Sequence, residues 1–148
     1  MSVDVTVEQR IARPRHDVAA VAMDPANDRR WIGALTEVNK LTEGPVGPGT
    51  RVERVAAFLG RRMRYVNEIV AYDPPARLEM RSVEAPFPMR VTYELEEDGG
   101  SATLARIRAE GDAGRFYGLA GPLLSMMVRR GIRRDLRQLR ELLEATGA

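Results

Sequence analysis

From position 50 to Gly111 the chain reads as a series of apolar-alternating segments joined by short turns. "RVERVAAFLG" meets "RRMRYVNEIVAY" at Gly60, and "DPPA" separates that run from "RLEMRSVE". "PFPMRVTYELE" follows, with Phe87, Met89, Val91, Tyr93 and Leu95 on one face, and "EDGGS" is a hairpin signal that returns the chain into "ATLARIRAEG". Connections this short force antiparallel neighbours, because a parallel pair needs a long crossover. The predicted product is a meander with one apolar face and one polar face, and the apolar face has to be covered.

The C-terminal segment supplies the cover. Pro122 suits the first turn of a helix, and a helix from there to Ala145 is about 36 Å long, close to the ~33 Å span of a ten-residue strand. Leu124, Val128, Ile132, Leu136, Leu139 and Leu143 recur at spacings of three and four, an apolar stripe facing one way. At the other end of the chain, Val3, Val5, Val7 and Ile11 alternate with Asp4, Thr6, Glu8 and Arg10, the pattern of a half-buried strand. Pro14 opens a short helix through Ala22, Asp24-Pro25 starts a second that ends near "RRWIG", and "GPVGPG" (Gly44 to Gly49) is a turn cluster. The expected order is strand, two short helices, six strands and a long helix, in a single domain spanning 1–148.

Arg129, Arg130, Arg133, Arg134, Arg137 and Arg140 fall mainly off the apolar stripe, with Asp135, Glu141 and Glu144 among them for local pairs. This face reads as solvated. It has no aromatic residues interleaved with the basic ones, as a nucleic-acid groove would want, and the apolar stripe that a membrane-lying helix needs is already required by the sheet. The net charge is only +2, and the pI near 9.4 reflects arginine outnumbering lysine, whose one instance is Lys40. There is no cysteine, so disulfides, thiolate chemistry and Cys-type zinc sites are excluded. No signal-like N-terminus is expected, and no apolar run reaches the ~18 residues of a spanning helix. A cytoplasmic location is the expectation.

At the level of motifs the sequence resembles the START-like (SRPBCC) superfamily, in its bacterial polyketide cyclase/dehydrase-like branch. "IARPRHDV" is similar to that family's strand end, proline and first helix, and "DPANDRRWIG" resembles its Asp-Pro…Trp segment. "VGPGTRV" is similar to its glycine turn into the third strand, "EIVAYDPPARLEMRS" to its Asp-Pro-Pro hairpin, and "GPLL…DLRQLRELLE" to its closing helix. The resemblance covers nearly the whole chain. It implies an α+β helix-grip fold, a seven-stranded antiparallel curved sheet wrapped around a long C-terminal helix, with two short helices after the first strand. It also implies an apolar cavity between sheet and helix, and hence binding of a lipid, polyketide, isoprenoid or aromatic molecule.

Strand parity supplies candidate cavity residues. The face of the first strand fixed by Ile11 also carries Gln9. The apolar phase selects Met63, Tyr65, Asn67 and Ile69 on one strand, Leu78, Met80 and Ser82 on the next, and Phe87, Met89, Val91 and Tyr93 on the one after. At 50–59 the phase is ambiguous, and Val52, Arg54, Ala56 and Phe58 form one choice. Leu123, Met126 and Met127 are candidates to close the cavity from the helix, and Trp31 to guard its mouth. Trp31, Phe58, Met63, Tyr65, Asn67, Met80, Phe87, Met89, Tyr93, Leu123 and Met127 are therefore the expected ligand-binding set.

The residues for catalysis are few. His16 is the only histidine and has no Ser or Cys partner in view, and "ELEED" leads into a hairpin turn as solubilising surface. No metal or cofactor motif is present. The reading is a binder of a hydrophobic small molecule without nucleic acid, transmembrane segment, metal or cofactor; homodimerisation stays open. The alternatives are a polyketide cyclase, aromatase or dehydratase using the same cavity, with Tyr, Asn or Arg polarising a carbonyl, and an interaction module built on the arginine-rich helix face.

Overall fold

The computed structural model describes residues 3–146. Strand β1 (Val3–Ile11) leads into helix α1 (Arg15–Ala22) and a 3-10 helix (Pro25–Arg30). Strands β2 (Leu35–Lys40), β3 (Arg51–Phe58), β4 (Arg61–Asp73), β5 (Arg77–Glu84), β6 (Met89–Asp98) and β7 (Ala102–Gly111) follow. A single-turn helix, α2 (Gly114–Tyr117), precedes the long helix α3 (Gly121–Thr146). The sheet has seven antiparallel strands in the order β1-β7-β6-β5-β4-β3-β2. This is the α+β helix-grip architecture expected from the resemblance.

Local chemistry accounts for the elements. β1 buries Val3, Val5, Val7 and Ile11 and turns Asp4, Thr6, Glu8 and Arg10 to solvent. The β3–β4 turn holds Leu59 and Gly60 at φ 52° and 77°, the left-handed pair that a two-residue hairpin requires if the strands are to keep their twist. Asp24 caps the 3-10 helix by accepting the Ala26 N–H at 3.0 Å. β3 resolves its ambiguous phase: Val52, Arg54 and Ala56 are buried on the face that meets the interior. One joint has no local signal. β1 pairs with β7, from Val3↔Gly111 to Ile11↔Thr103, past every other strand of the sheet.

Helix α3 lies against the concave side of the sheet, clamped near both ends. Leu124 packs with Val3, Val5 and Ala113. Leu136, Leu139 and Leu143 pack with Ile11, Val18, Leu78 and Leu95 in the main core. Near its C-terminus, Glu144 Oε2 accepts the Ala12 N–H at 2.8 Å, and the Leu143 carbonyl accepts an Arg13 N–H at 2.8 Å. Between the clamps Val128 and Ile132 are only half-buried. There the sheet stands away from the helix and encloses a space.

Candidate functional site: an apolar cavity between sheet and helix

The space is a partly open cavity of about 260 Å³. Strand alternation brings Ala56 and Phe58 from β3, Met63 and Tyr65 from β4, and Met89, Val91 and Tyr93 from β6 to its wall. Phe87, just ahead of β6, and Trp31 and Ile32, just after the 3-10 helix, complete that side. Helix α3 contributes Val128, Gly131, Ile132, Arg134 and Asp135. Gly131 matters for volume: a Cβ there would stand 3.6 Å from the Phe58 ring, so any larger side chain would project into the space between them.

The cavity has a buried end and an aromatic end. At the buried end the Trp31 and Tyr93 rings meet edge to face at 5.9 Å. At the other end Phe58, Phe87 and Tyr117 are half-buried. Tyr117 stands edge-on to Phe58 at 5.6 Å and to Phe116 at 4.9 Å, and the Arg61 guanidinium lies 4.3 Å over the Phe116 ring.

Few polar atoms reach this wall. The Trp31 indole Nε1 is fully buried and has no hydrogen-bond acceptor among the described residues. The Asp135 carboxylate accepts the Gly33 N–H at 3.1 Å. Burial pushes its carboxyl up to about 6, against the pull of the Gly33 N–H and the Arg134 charge. Burial also pushes the Tyr65 and Tyr93 phenols up, so both stay protonated. Behind the wall lies a buried ion pair, Arg54 Nε to Asp28 Oδ2 at 2.8 Å. A second Arg54 N–H points at the Met80 sulfur, 3.6 Å away.

The parity-based candidates therefore divide. Phe58, Met63, Tyr65, Phe87, Met89 and Tyr93 stand on the cavity wall, and so does Trp31, which does not guard the mouth as expected but is buried at the inner end against Tyr93. Asn67 and Met80 share the inward face but lie off the wall, among buried residues. Leu123 is 44% exposed and Met126 52% exposed, and Met127 is half-buried off the wall; the helix residues over the cavity come later, from Val128 to Asp135. Gln9 donates to the Arg10 carbonyl in an exposed position, and Ser82 Oγ accepts the Met89 N–H at 3.0 Å. His16 is exposed on α1 and does not line the cavity. Among the described residues no three His, Asp or Glu side chains converge on a point where a metal ion would sit.

Sequence reasoning does not single out Asp28 or assign Asp135 to the interior. Asp28 reads as part of a structural Asp-Pro…Trp segment, and its partner Arg54 lies 26 residues away. Asp135 reads as a local partner for the arginines, yet Val128, Ile132, Asp135 and Leu139 follow a four-three-four spacing that places it on the inward stripe.

An antiparallel sheet gripping one long helix over an apolar cavity is the architecture of a small-molecule-binding helix-grip domain. Residues 2–144 match the family described as polyketide cyclase / dehydrase and lipid transport, and the chain belongs to that family. Among solved structures, the aromatase/cyclase Zhui from Streptomyces sp. R1128 has a TM-score of 0.82 at 19% identity, over 100% of this chain and 97% of its own. A protein from Thermus thermophilus has a TM-score of 0.81 at 19% identity, over 98% and 99% of the two chains. A START superfamily protein from Mycobacterium smegmatis has 0.81 at 10% identity, over 96% and 97%. At these identities the likeness is one of fold. No curated protein matches the chain significantly. Among the described residues no helix is long and apolar enough to cross a membrane.

The Asp135 carboxyl leads to a pH prediction. Its folded pKa of about 6 lies above the ordinary aspartate value of 3.8, so between those values the native state holds a proton that the unfolded state has lost. Stability therefore falls as pH rises through this window, and the carboxylate is a liability above it. Asp135→Asn keeps an acceptor for the Gly33 N–H and removes the charge. The variant is expected to be more stable than wild type by about 1–3 kcal/mol at a pH of about 7.5, with the difference vanishing near a pH of about 4. Urea titrations at several pH values test this; a difference independent of pH would show that the carboxylate is solvated.

Proposed function

We propose that this cavity binds a hydrophobic small molecule of about two fused rings that carries a carbonyl or hydroxyl oxygen. One observation carries the reading: an apolar cavity one of whose wall residues, Trp31, holds a buried indole N–H with no acceptor among the described residues. Buried donors are almost always paired, and leaving one unpaired is costly. A small turn of the Trp31 ring would bring its N–H to the cavity, where a ligand oxygen would supply the missing acceptor beside Tyr65 and Tyr93 on the same wall. Size narrows the class further. An apolar cavity of ~150 Å³ takes benzene, so about 260 Å³ suits roughly twice that ring system. An extended multi-ring chain would need the aromatic end to open. Among lipid, polyketide, isoprenoid and aromatic molecules, this volume favours the compact bicyclic members.

Calorimetric titration with naphthalene and 2-acetylnaphthalene tests this reading. The ketone should bind more tightly than the hydrocarbon by about 0.5–1.5 kcal/mol, one net hydrogen bond. It should also perturb the fluorescence of Trp31, the only tryptophan. Met89→Trp should abolish binding of both compounds in protein that remains folded, because the larger side chain fills the space. Equal binding of both compounds to folded Met89→Trp protein would remove the cavity from the account.

A second reading rests on Asp135. A carboxyl poised near 6 on an apolar wall beside two neutral phenols is suited to accepting or donating a proton, as a cyclisation or dehydration would need. In this reading Asp135→Asn would leave ketone binding in place and abolish turnover of a poly-β-ketone substrate.

A further inference from the structure

The protein distributes its ion pairs unevenly. On the strands, arginines meet carboxylates: Arg106 with Glu8 and Glu96, Arg108 with Asp4, Arg64 with Glu53, and Arg77 and Arg81 with Glu79. On α3 the pattern stops. Arg130, Arg133 and Arg137 are exposed and make no ion pair among the described residues. Their spacing of three and four continues from Leu123 and Met126, so the five side chains share one outward face, opposite the buried Leu124, Leu136 and Leu139. The helix is therefore amphipathic along its outside as well as across its width: an apolar tip followed by a file of unpaired guanidinium groups.

The tip sits close to the aromatic end of the cavity. Leu123 and Met126 are exposed at the start of α3, and α2, which carries the cavity-wall residue Tyr117 and its neighbour Phe116, immediately precedes it. Arg61 and Arg115 flank this end and are exposed as well.

We propose that the outward face of α3, from Leu123 to Arg137, docks on an anionic lipid bilayer. Leu123 and Met126 enter the headgroup region, and Arg130, Arg133 and Arg137 engage lipid phosphates. Charge complementarity is the first argument: unpaired guanidinium groups bind phosphate in bidentate fashion and need no partner from the protein. The second is shape. A straight file of cations beyond an exposed apolar pair suits a planar surface with a polar face and an apolar interior. The buried stripe that the sheet requires is not used, so docking needs no unfolding of α3. The docked orientation brings the aromatic end of the cavity towards the bilayer, where an apolar ligand would be dissolved.

Flotation with phosphatidylcholine vesicles, with and without phosphatidylglycerol, tests this directly. The wild-type protein is expected to float with the anionic vesicles only, and to be released as salt screens the surface. Arg133→Glu plus Arg137→Glu, and separately Leu123→Ser plus Met126→Ser, should each lower the bound fraction about tenfold or more. Both variants should keep the wild-type thermal midpoint and 2-acetylnaphthalene affinity, since none of these side chains touches the core or the cavity wall. Failure to bind anionic vesicles, equal binding to neutral ones, or retention of binding in the arginine variant would overturn the proposal. Loss in the arginine variant with full binding in the Leu123/Met126 variant would also overturn it, in favour of electrostatic adsorption in which no side chain enters the headgroup region. Ketone binding is read separately, so failure of the docking face and failure of the cavity are distinguishable.

Discussion

Leu136→Ala and Leu139→Ala should each destabilise the protein by about 2–5 kcal/mol. Both side chains are 1% exposed and sit in the main core with Ile11, Val18, Leu78 and Leu95. Truncation removes buried methyl and methylene groups and leaves a void. The surroundings collapse poorly, because α3 is tied down near its C-terminus through Glu144 and Leu143 and further back through Arg129, which donates to the Thr6 carbonyl at 2.9 Å. Two controls locate the effect. Arg137→Ala, on the opposite face, should stay within about 0.5 kcal/mol of wild type. Ile132→Ala should cost less than either leucine, since it only enlarges a space that already exists. Urea denaturation with an unchanged slope would read each value as a shift in midpoint. Losses under about 0.5 kcal/mol for both leucines would mean that the stripe does not face the sheet.

The contrast between Leu136 and Leu123 shows where the sequence is legible. Periodicity identifies which face of an element is apolar, and it identifies the buried stripe of α3 and the inward phases of β1, β4, β5 and β6. It does not say how far along an element the cavity lies. Asn67 and Met80 share a face with Tyr65 and Tyr93 but sit in the filled part of the interior. Leu123 and Met126 begin the helix, but the cavity lies beneath Val128 to Asp135. Long-range pairing is equally silent. Nothing in the residues of β1 says that its partner is β7, because the information is distributed over two strands that the chain separates by about ninety residues or more. Buried charges read as surface for the same reason. An aspartate looks the same in sequence whether its neighbour is water or, as for Asp28, a guanidinium delivered by a distant strand. The single-turn helix α2 is too short to produce a period at all.

The Asp28–Arg54 pair is where an omission of that kind carries the largest energetic consequence. Asp28→Ala is expected to cost about 3–5 kcal/mol. Arg54 is 5% exposed, a guanidinium cannot shed its proton, and the Met80 sulfur is a weak acceptor, so truncation strands a full charge in the interior. Arg54→Met should cost less. Burial already pushes the Asp28 carboxyl up, and Arg54 pulls it back; without that pull the carboxyl rises further and can bind a proton. The sign follows: in the Arg54→Met variant the folded pKa exceeds the unfolded one, so the loss relative to wild type should shrink as pH falls through the raised value. Replacing both partners, Asp28→Leu with Arg54→Met, should recover most of the stability, because a buried pair is often matched by apolar side chains of similar volume. A loss below about 1 kcal/mol for Asp28→Ala would mean that water reaches the pair. The double variant also separates two roles. The charges of Asp28 and Arg54 act on both the Tyr65 and Tyr93 hydroxyls. A double variant that is stable yet loses the preference for 2-acetylnaphthalene over naphthalene would assign the pair to positioning the phenols at the cavity wall. A stable variant that keeps the preference would assign it to the fold alone.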